Sequence, residues 1–156
     1  MKTFHQIFLS ATLASSAQIN AQVTYTWDDG GNNNSWNKSQ NWVGGNIPDG
    51  TNHIAFFDGT ESGIGNTGTK VYVTSESGEF GTTRNLYGLS FLTENANEQW
   101  RIYGNKNESP NKNVFLRIHN KISHNLLNGG TASIFCTLEI VNDITWSMNG
   151  GMLLLS

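Results

Sequence analysis

From Lys70 onward the chain is a succession of short apolar alternations, each followed within a few residues by Asn, Gly or Ser. The runs are "KVYVTS" (70–75), "LYGLSFL" (86–92), "WRIYG" (100–104), "VFLRIHNKI" (114–122), "ASIFCTLEIV" (132–141), "ITWSM" (144–148) and "MLLL" (152–155). Period-two alternation over so few residues makes β-strands, not helices. The intervening "ENANEQ", "GNKNESPNKN", "NLLNGG" and "NGG" are turn chemistry, because Gly supplies positive φ and Asn bonds its own backbone. Composition agrees: 21 Asn and 17 Gly stand against two Pro. Ala, Glu and Lys are too sparse to sustain long helices. The fold class is all-β, and 156 residues make one domain of ordinary size.

Strands this short and frequent suit a sandwich, a barrel or a solenoid. Three features point to the β-solenoid, in which each turn of chain stacks on the one before. The runs are short enough to be the sides of a coil. Asn and Gly recur where the corners would fall, and Asn both tolerates left-handed backbone and stacks into bonded ladders. The stretch "LEIVNDITWSMNGGMLLLS" repeats a cadence of strand, Asn-containing turn and strand. No strict residue-level repeat is visible, and a β-sandwich would use the same alternation. The sandwich therefore stands as the alternative.

The first residues read as an export signal. "MKTFHQIFLSATLASSAQINAQ" places Lys2 ahead of an apolar stretch from Ile7 to Ala14, with small residues and possible cleavage points at Ala17 and Ala21 beyond it. The apolar stretch is shorter than the roughly 20 residues a membrane-spanning helix needs. Residues 1–21 are assigned as signal peptide, and the mature chain is expected outside the cytoplasm, at the cell surface, in the outer membrane or in the extracellular medium.

Residues 22–58 have a different character, rich in Trp, Gly and Asn. Trp27, Trp36 and Trp42 lie in a loop-like bed, which raises two possibilities. Either the rings grip a glycan, or they form a plug over the end of a stack of coils. Repeat arrays need distinct terminal caps, and open strand edges need covering. Together with Phe56, rings that bury about 150–250 Å² each would make such a plug. Gly44, Gly45 and Pro48 would turn the chain over it. The N-terminal Trp-rich cap is the reading adopted, with glycan contact by Trp27, Trp36 and Trp42 as the alternative.

The spacing from Trp27 to Trp36 to Trp42 to Pro48, followed by "AFFD" at 55–58, resembles the opening of bacterial surface proteins with autotransporter-associated β-strand repeats. Such chains continue through Gly/Asn-rich strand pairs like "LYGLSF" into units of the form TW-x-x-x-GG-x-L-x-L. Thr145, Trp146, Gly150, Gly151, Leu153 and Leu155 match that last pattern. The resemblance implies a right-handed parallel β-helix passenger on the cell surface, with residues 59–156 as its coils, and it implies no chemistry. Proteins of this kind run for hundreds of residues, so more of the same chain is expected beyond Ser156. "GGMLLLS" would otherwise leave an apolar coil face open.

No cofactor is expected, and no catalytic constellation stands out. Asp28 and Asp29, and Asp58 with Glu61, are carboxylates in Gly/Asn turns, whereas a glycosidase needs a pair set across a cleft. "DDGGNNN" lacks the alternating ligand order and closing Glu of a calcium loop. His119 and His124 are five apart and have no nearby Cys or carboxylate, a poor basis for a metal site. Cys136, the lone cysteine, lies in an apolar run and reads as a small buried hydrophobe. The sequons at Asn37 and Asn107 are matches by pattern only. With a net charge of −3 and no Lys/Arg cluster, nucleic acid is not an expected partner.

The sequence thus leads to a non-enzymatic, exported surface segment with a display or adhesion role and an unidentified surface ligand. The alternative is a carbohydrate-active protein, either a glycan-binding module or a lyase-like β-helix. Arg84, Arg101 and Arg117 projecting from one face would favour the lyase, and a flat row of exposed Trp would favour the binding module.

Overall fold

In the computed structural model each of the seven apolar runs contributes a strand. The structure describes residues 21–31, 34–59, 69–73, 82–94, 98–104, 111–126 and 129–155. The export signal up to residue 20, Glu61 and the sequon at Asn107 lie outside them. Among the described residues there are nine strands: β1 (Val23–Trp27), β2 (Gly50–Asp58), β3 (Thr69–Tyr72), β4 (Thr83–Thr93), β5 (Gln99–Tyr103), β6 (Asn111–Leu126), β7 (Thr131–Ile140), β8 (Thr145–Asn149) and β9 (Met152–Leu155). Two short 3-10 turns, Ser39–Asn41 and Val43–Gly45, lie among the described residues. The chain is all-β, and no helix among the described residues is long and apolar enough to cross a membrane.

All eight strand pairings are parallel. Parallel neighbours need a long crossover, commonly a helix. Here the chain instead crosses through another strand of the same sheet, as β5 does between β4 and β6. The long strands β6 and β7 serve three partners each. Leu116–Ile118 of β6 pair with Leu138–Ile140 of β7, and Lys121–Asn125 of β6 pair with β8. The first half of β7 pairs with β5 and with β9. The sheet therefore curls around its own interior, an arrangement compatible with stacked coils.

Register turns the period-two alternation into columns. Trp27 lies beside Phe57, Phe57 beside Phe91, Phe91 beside His124, and His124 beside Met148. The first four face inward and are buried, while Met148 is exposed. Phe57 and Phe91 stack at 5.3 Å between ring centroids. A second inward column runs Val71, Ile102, Ile134 and Leu155, and ends equally exposed at Leu155. Each fully buried side chain of this kind contributes about 1.5–3 kcal/mol of transfer free energy, so the columns are the stabilising element of the fold. On the opposite face of these strands, Tyr72, Tyr103 and Phe135 form a further aromatic ladder, with centroids 6.0 and 4.8 Å apart.

Where successive strands turn the same corner, backbones approach too closely for side chains. A Cβ on Gly59 would meet Leu92 O at 2.9 Å, and one on Gly130 would strike the Thr93 side chain. At Gly151 a Cβ would strike Gly130 O and Leu126, and φ there is +53°. Glycine at that corner is a packing requirement as well as a conformational one.

Candidate functional site

The Trp-rich loop is built on the β1 edge of the sheet. Asp28 N donates to Asn41 O at 2.9 Å, and Trp27 and Trp42 form an antiparallel bridge. On the other side the loop covers the free edge of β3, with Trp36 N bonded to Tyr72 O (2.8 Å) and Tyr72 N to Asn34 O (2.7 Å). Asp29 and Asn34 take the left-handed turn conformations this path needs (φ 54° each), which Asx residues tolerate. Strand edges that would otherwise template further pairing are closed in this way.

Inside the loop, Trp27 and Trp36 are 0% exposed and Trp42 is 1% exposed. Their rings meet edge-on, Trp27 to Trp42 at 5.1 Å and Trp36 to Trp42 at 4.9 Å, and all three pack on Phe57. Trp42 Nε1 donates to Trp36 O at 2.8 Å and Trp36 Nε1 to Pro48 O at 3.2 Å, while the buried Trp27 Nε1 has no partner among the described residues. Stacking on a sugar needs a ring face open to solvent, and these faces are covered by one another. Phe56, grouped with them by sequence, points the other way, because its neighbour Phe57 takes the inward position.

Arg84 ties the loop to β4. Its register partner is Leu116, an inward position. Its guanidinium reaches Asp49 at 2.8 Å and also Asn37. Asp49 in turn accepts Asn85 N at 2.9 Å. Arg117 is offset from Arg84 by one position in register, since it pairs with Asn85, and a one-residue offset puts side chains on opposite faces. It bonds Glu139 at 2.9 Å. Arg101 lies on β5, in a different branch of the sheet. The three arginines do not line up.

The remaining titratable residues are dispersed. Asp28 accepts Gly30 N in a local turn at 3.0 Å. Burial, opposed by a backbone bond from Asn34 and aided by the Asp28 charge, raises the Asp29 pKa above the ordinary carboxylate value. His124 is buried in its column and its pKa is lowered, chiefly by desolvation, with a backbone bond at Asn149 working against the shift. His119 is only half-buried, on a different part of β6. Burial pushes the Cys136 thiol up to about 12, which makes it a poor nucleophile. Among the described residues, no group of three or more His, Cys, Asp or Glu side chains is placed to hold a metal ion.

Two concavities among the described residues bear on function. One, of about 500 Å³, lies at the end of the sheet formed by β7, β8 and β9 and is lined by Ile134, Cys136, Leu138, Ile140, Trp146 and Leu155. The other, of about 420 Å³, is a trough on the outer face of β2, β4, β6 and β8. Its sides are two outward columns in register, Phe56–Ser90–Ser123–Ser147 and Leu92–Asn125–Asn149. The sequence carries a faint sign of the trough, since "GLSF", "KISH" and "TWSM" place Ser third each time. That sign is legible only once the strands are set side by side.

Comparisons with family models, curated proteins and solved structures returned no match to this chain.

Proposed function

We propose that this chain is the Trp-capped N-terminal part of an exported, right-handed parallel β-solenoid that serves display or adhesion at the cell surface and is not an enzyme. The observation that carries the reading is the set of in-register inward columns, above all Trp27–Phe57–Phe91–His124–Met148. One end is sealed by buried tryptophans and the other is apolar and exposed. A stack whose rungs recur every few tens of residues and which carries a distinct cap at one end has the organisation of a repeat array. Residues 22–58 then supply the cap, although β1 and β2 already join the sheet as its first strands. The exposed Trp146, Met148 and Leu155, which continue the inward positions of Ile122, His124 and Ile134, form an apolar patch of the kind that calls for a further layer. The carbohydrate-active alternative at the Trp cluster loses support, because the rings are buried and the arginines are on different faces.

Two measurements test this reading. Oxidising an Asn85→Cys/Arg117→Cys variant should form a disulfide, because neighbouring strands lie about 4.8 Å apart. Asn85→Cys/Glu139→Cys, two strands apart, should not, because Cα atoms beyond about 7 Å cannot be bridged. Protease shaving of intact cells, followed by mass spectrometry, should release peptides from a chain beginning near Gln22. An intact Met1 on soluble cytoplasmic protein would end the surface assignment.

A further inference from the structure

We propose that the outer trough of β2, β4, β6 and β8 binds an uncharged polysaccharide strand laid along the stacking direction. The proposal names a ligand class for the adhesive reading above and rests on it. It concerns a surface remote in chemistry from the buried tryptophans.

The lining residues are Phe56, Ser90, Phe91, Leu92, Ser123, His124, Asn125, Ser147 and Asn149. Phe91 and His124 occupy inward positions and floor the trough. The walls are hydroxyls, amides and two apolar side chains. No Asp, Glu, Lys or Arg is among them; the nearest charges in register are Asp58, beside Leu92, and Lys121, beside Gly88, one of each sign, so the trough's surroundings offer no net charge to a polyanion.

The polar walls are ordered but not saturated. Ser90 and Ser123 share one hydrogen bond at 3.0 Å, and Asn149 Nδ2 donates to Asn125 Oδ1 at 2.7 Å. A hydroxyl offers one donor and two acceptor positions, and an amide two donors and two acceptor positions. Each ladder therefore holds its members in place while leaving capacity turned outward. Groups held this way lose little freedom on binding, which favours affinity.

The repeat also matches. Hydroxyl-bearing residues recur once per strand, at a spacing of about 4.7–4.9 Å, close to the length of one pyranose unit in an extended glycan. The half-buried Phe56 ring stands at the head of the serine column. It gives the apolar face of a sugar a surface to rest on, in the way aromatic side chains combine apolar area with low entropy cost. A neutral, evenly spaced, one-sided ladder with an aromatic end suits a polyhydroxylated chain.

The test uses the full chain with ¹⁵N labelling. It is titrated with a neutral β-linked glucan hexamer, with an N-acetylated hexamer, with polygalacturonate as the anionic comparator, and with an extended uncharged peptide. A neutral glycan should shift the side-chain amides of Asn125 and Asn149 and the backbone amides of Ser90, Ser123 and Ser147. Phe56→Ala and, separately, Asn149→Ala should weaken binding about tenfold, with melting temperatures recorded to show that both remain folded. Trp36→Phe should leave affinity unchanged. No shift with either neutral hexamer at millimolar concentration overturns the proposal. So does preference for polygalacturonate or the peptide, or binding untouched in both trough variants. Failure of surface shaving alongside a positive titration would reject display but keep the trough, and the reverse would reject the trough alone.

Discussion

Replacing Trp42 and Trp27 in turn by Phe separates hydrogen bonding from packing inside the plug. Both rings are buried and touch each other and Phe57, so trimming the indole to a phenyl leaves a comparable void at each site, costing about 1–2 kcal/mol. The indole nitrogens differ. Trp42 Nε1 donates to Trp36 O at 2.8 Å, and its loss leaves a buried carbonyl unpaired, adding about 1–3 kcal/mol. Trp27 Nε1 is buried without a partner among the described residues, so its removal relieves a similar penalty and offsets the void. Trp42→Phe should therefore be less stable than Trp27→Phe by about 2–6 kcal/mol. For a chain of this size, at about 2–4 °C per kcal/mol, that is a difference of about 4–24 °C in Tm. Urea unfolding followed by far-UV circular dichroism reads the difference without depending on tryptophan emission, and equal slopes would show that the unfolded states are comparable. Equal losses in the two variants, or a greater loss at Trp27, would refute the reasoning.

Full truncation by Trp36→Ala should cost about 3–5 kcal/mol and appear as a lowered melting temperature or aggregation, with no selective loss of glycan binding. Gly151→Ala should cost about 2–4 kcal/mol through its positive φ and the clash with Gly130 O. Gly44→Ala, with positive φ but open space around it, should cost only about 1 kcal/mol; equal effects in thermal melts would contradict the stacked corner. Because the folded pKa of His124 is lowered from 6.5, the unfolded chain takes up a proton first as pH falls through that value. Stability should decline from just above pH 6.5 downward until the folded His also titrates, and His124→Phe should flatten this part of the curve in pH-resolved urea titrations. The chain should self-associate in sedimentation velocity through the exposed inward positions of β8 and β9, and Trp146→Lys with Leu155→Lys should reduce it, since both side chains are more than two-fifths exposed; unchanged association would place the contact elsewhere.

The strands themselves were legible from alternation. "LYGLSFL", "WRIYG" and "MLLL" announce strands because the period of two is a local property, and it survives whatever the strand packs against. The glycines of "NLLNGG" and "NGG" likewise mark corners before any partner is known, since positive φ is a constraint on a single residue. Partnership is different in kind. That Ile54 lies beside Gly88, Gly88 beside Lys121 and Lys121 beside Thr145 depends on matching inward faces across loops of unequal length, and no residue-level repeat advertises it. For the same reason the burial of Trp27, Trp36 and Trp42 could be weighed but not read from the chain, because an indole in a Gly/Asn loop is equally at home on a sugar or against Phe57. Arg84 and Arg117 show the point most sharply: alike in sequence, they differ by one step of register, and that step turns one inward toward the plug and the other outward to Glu139.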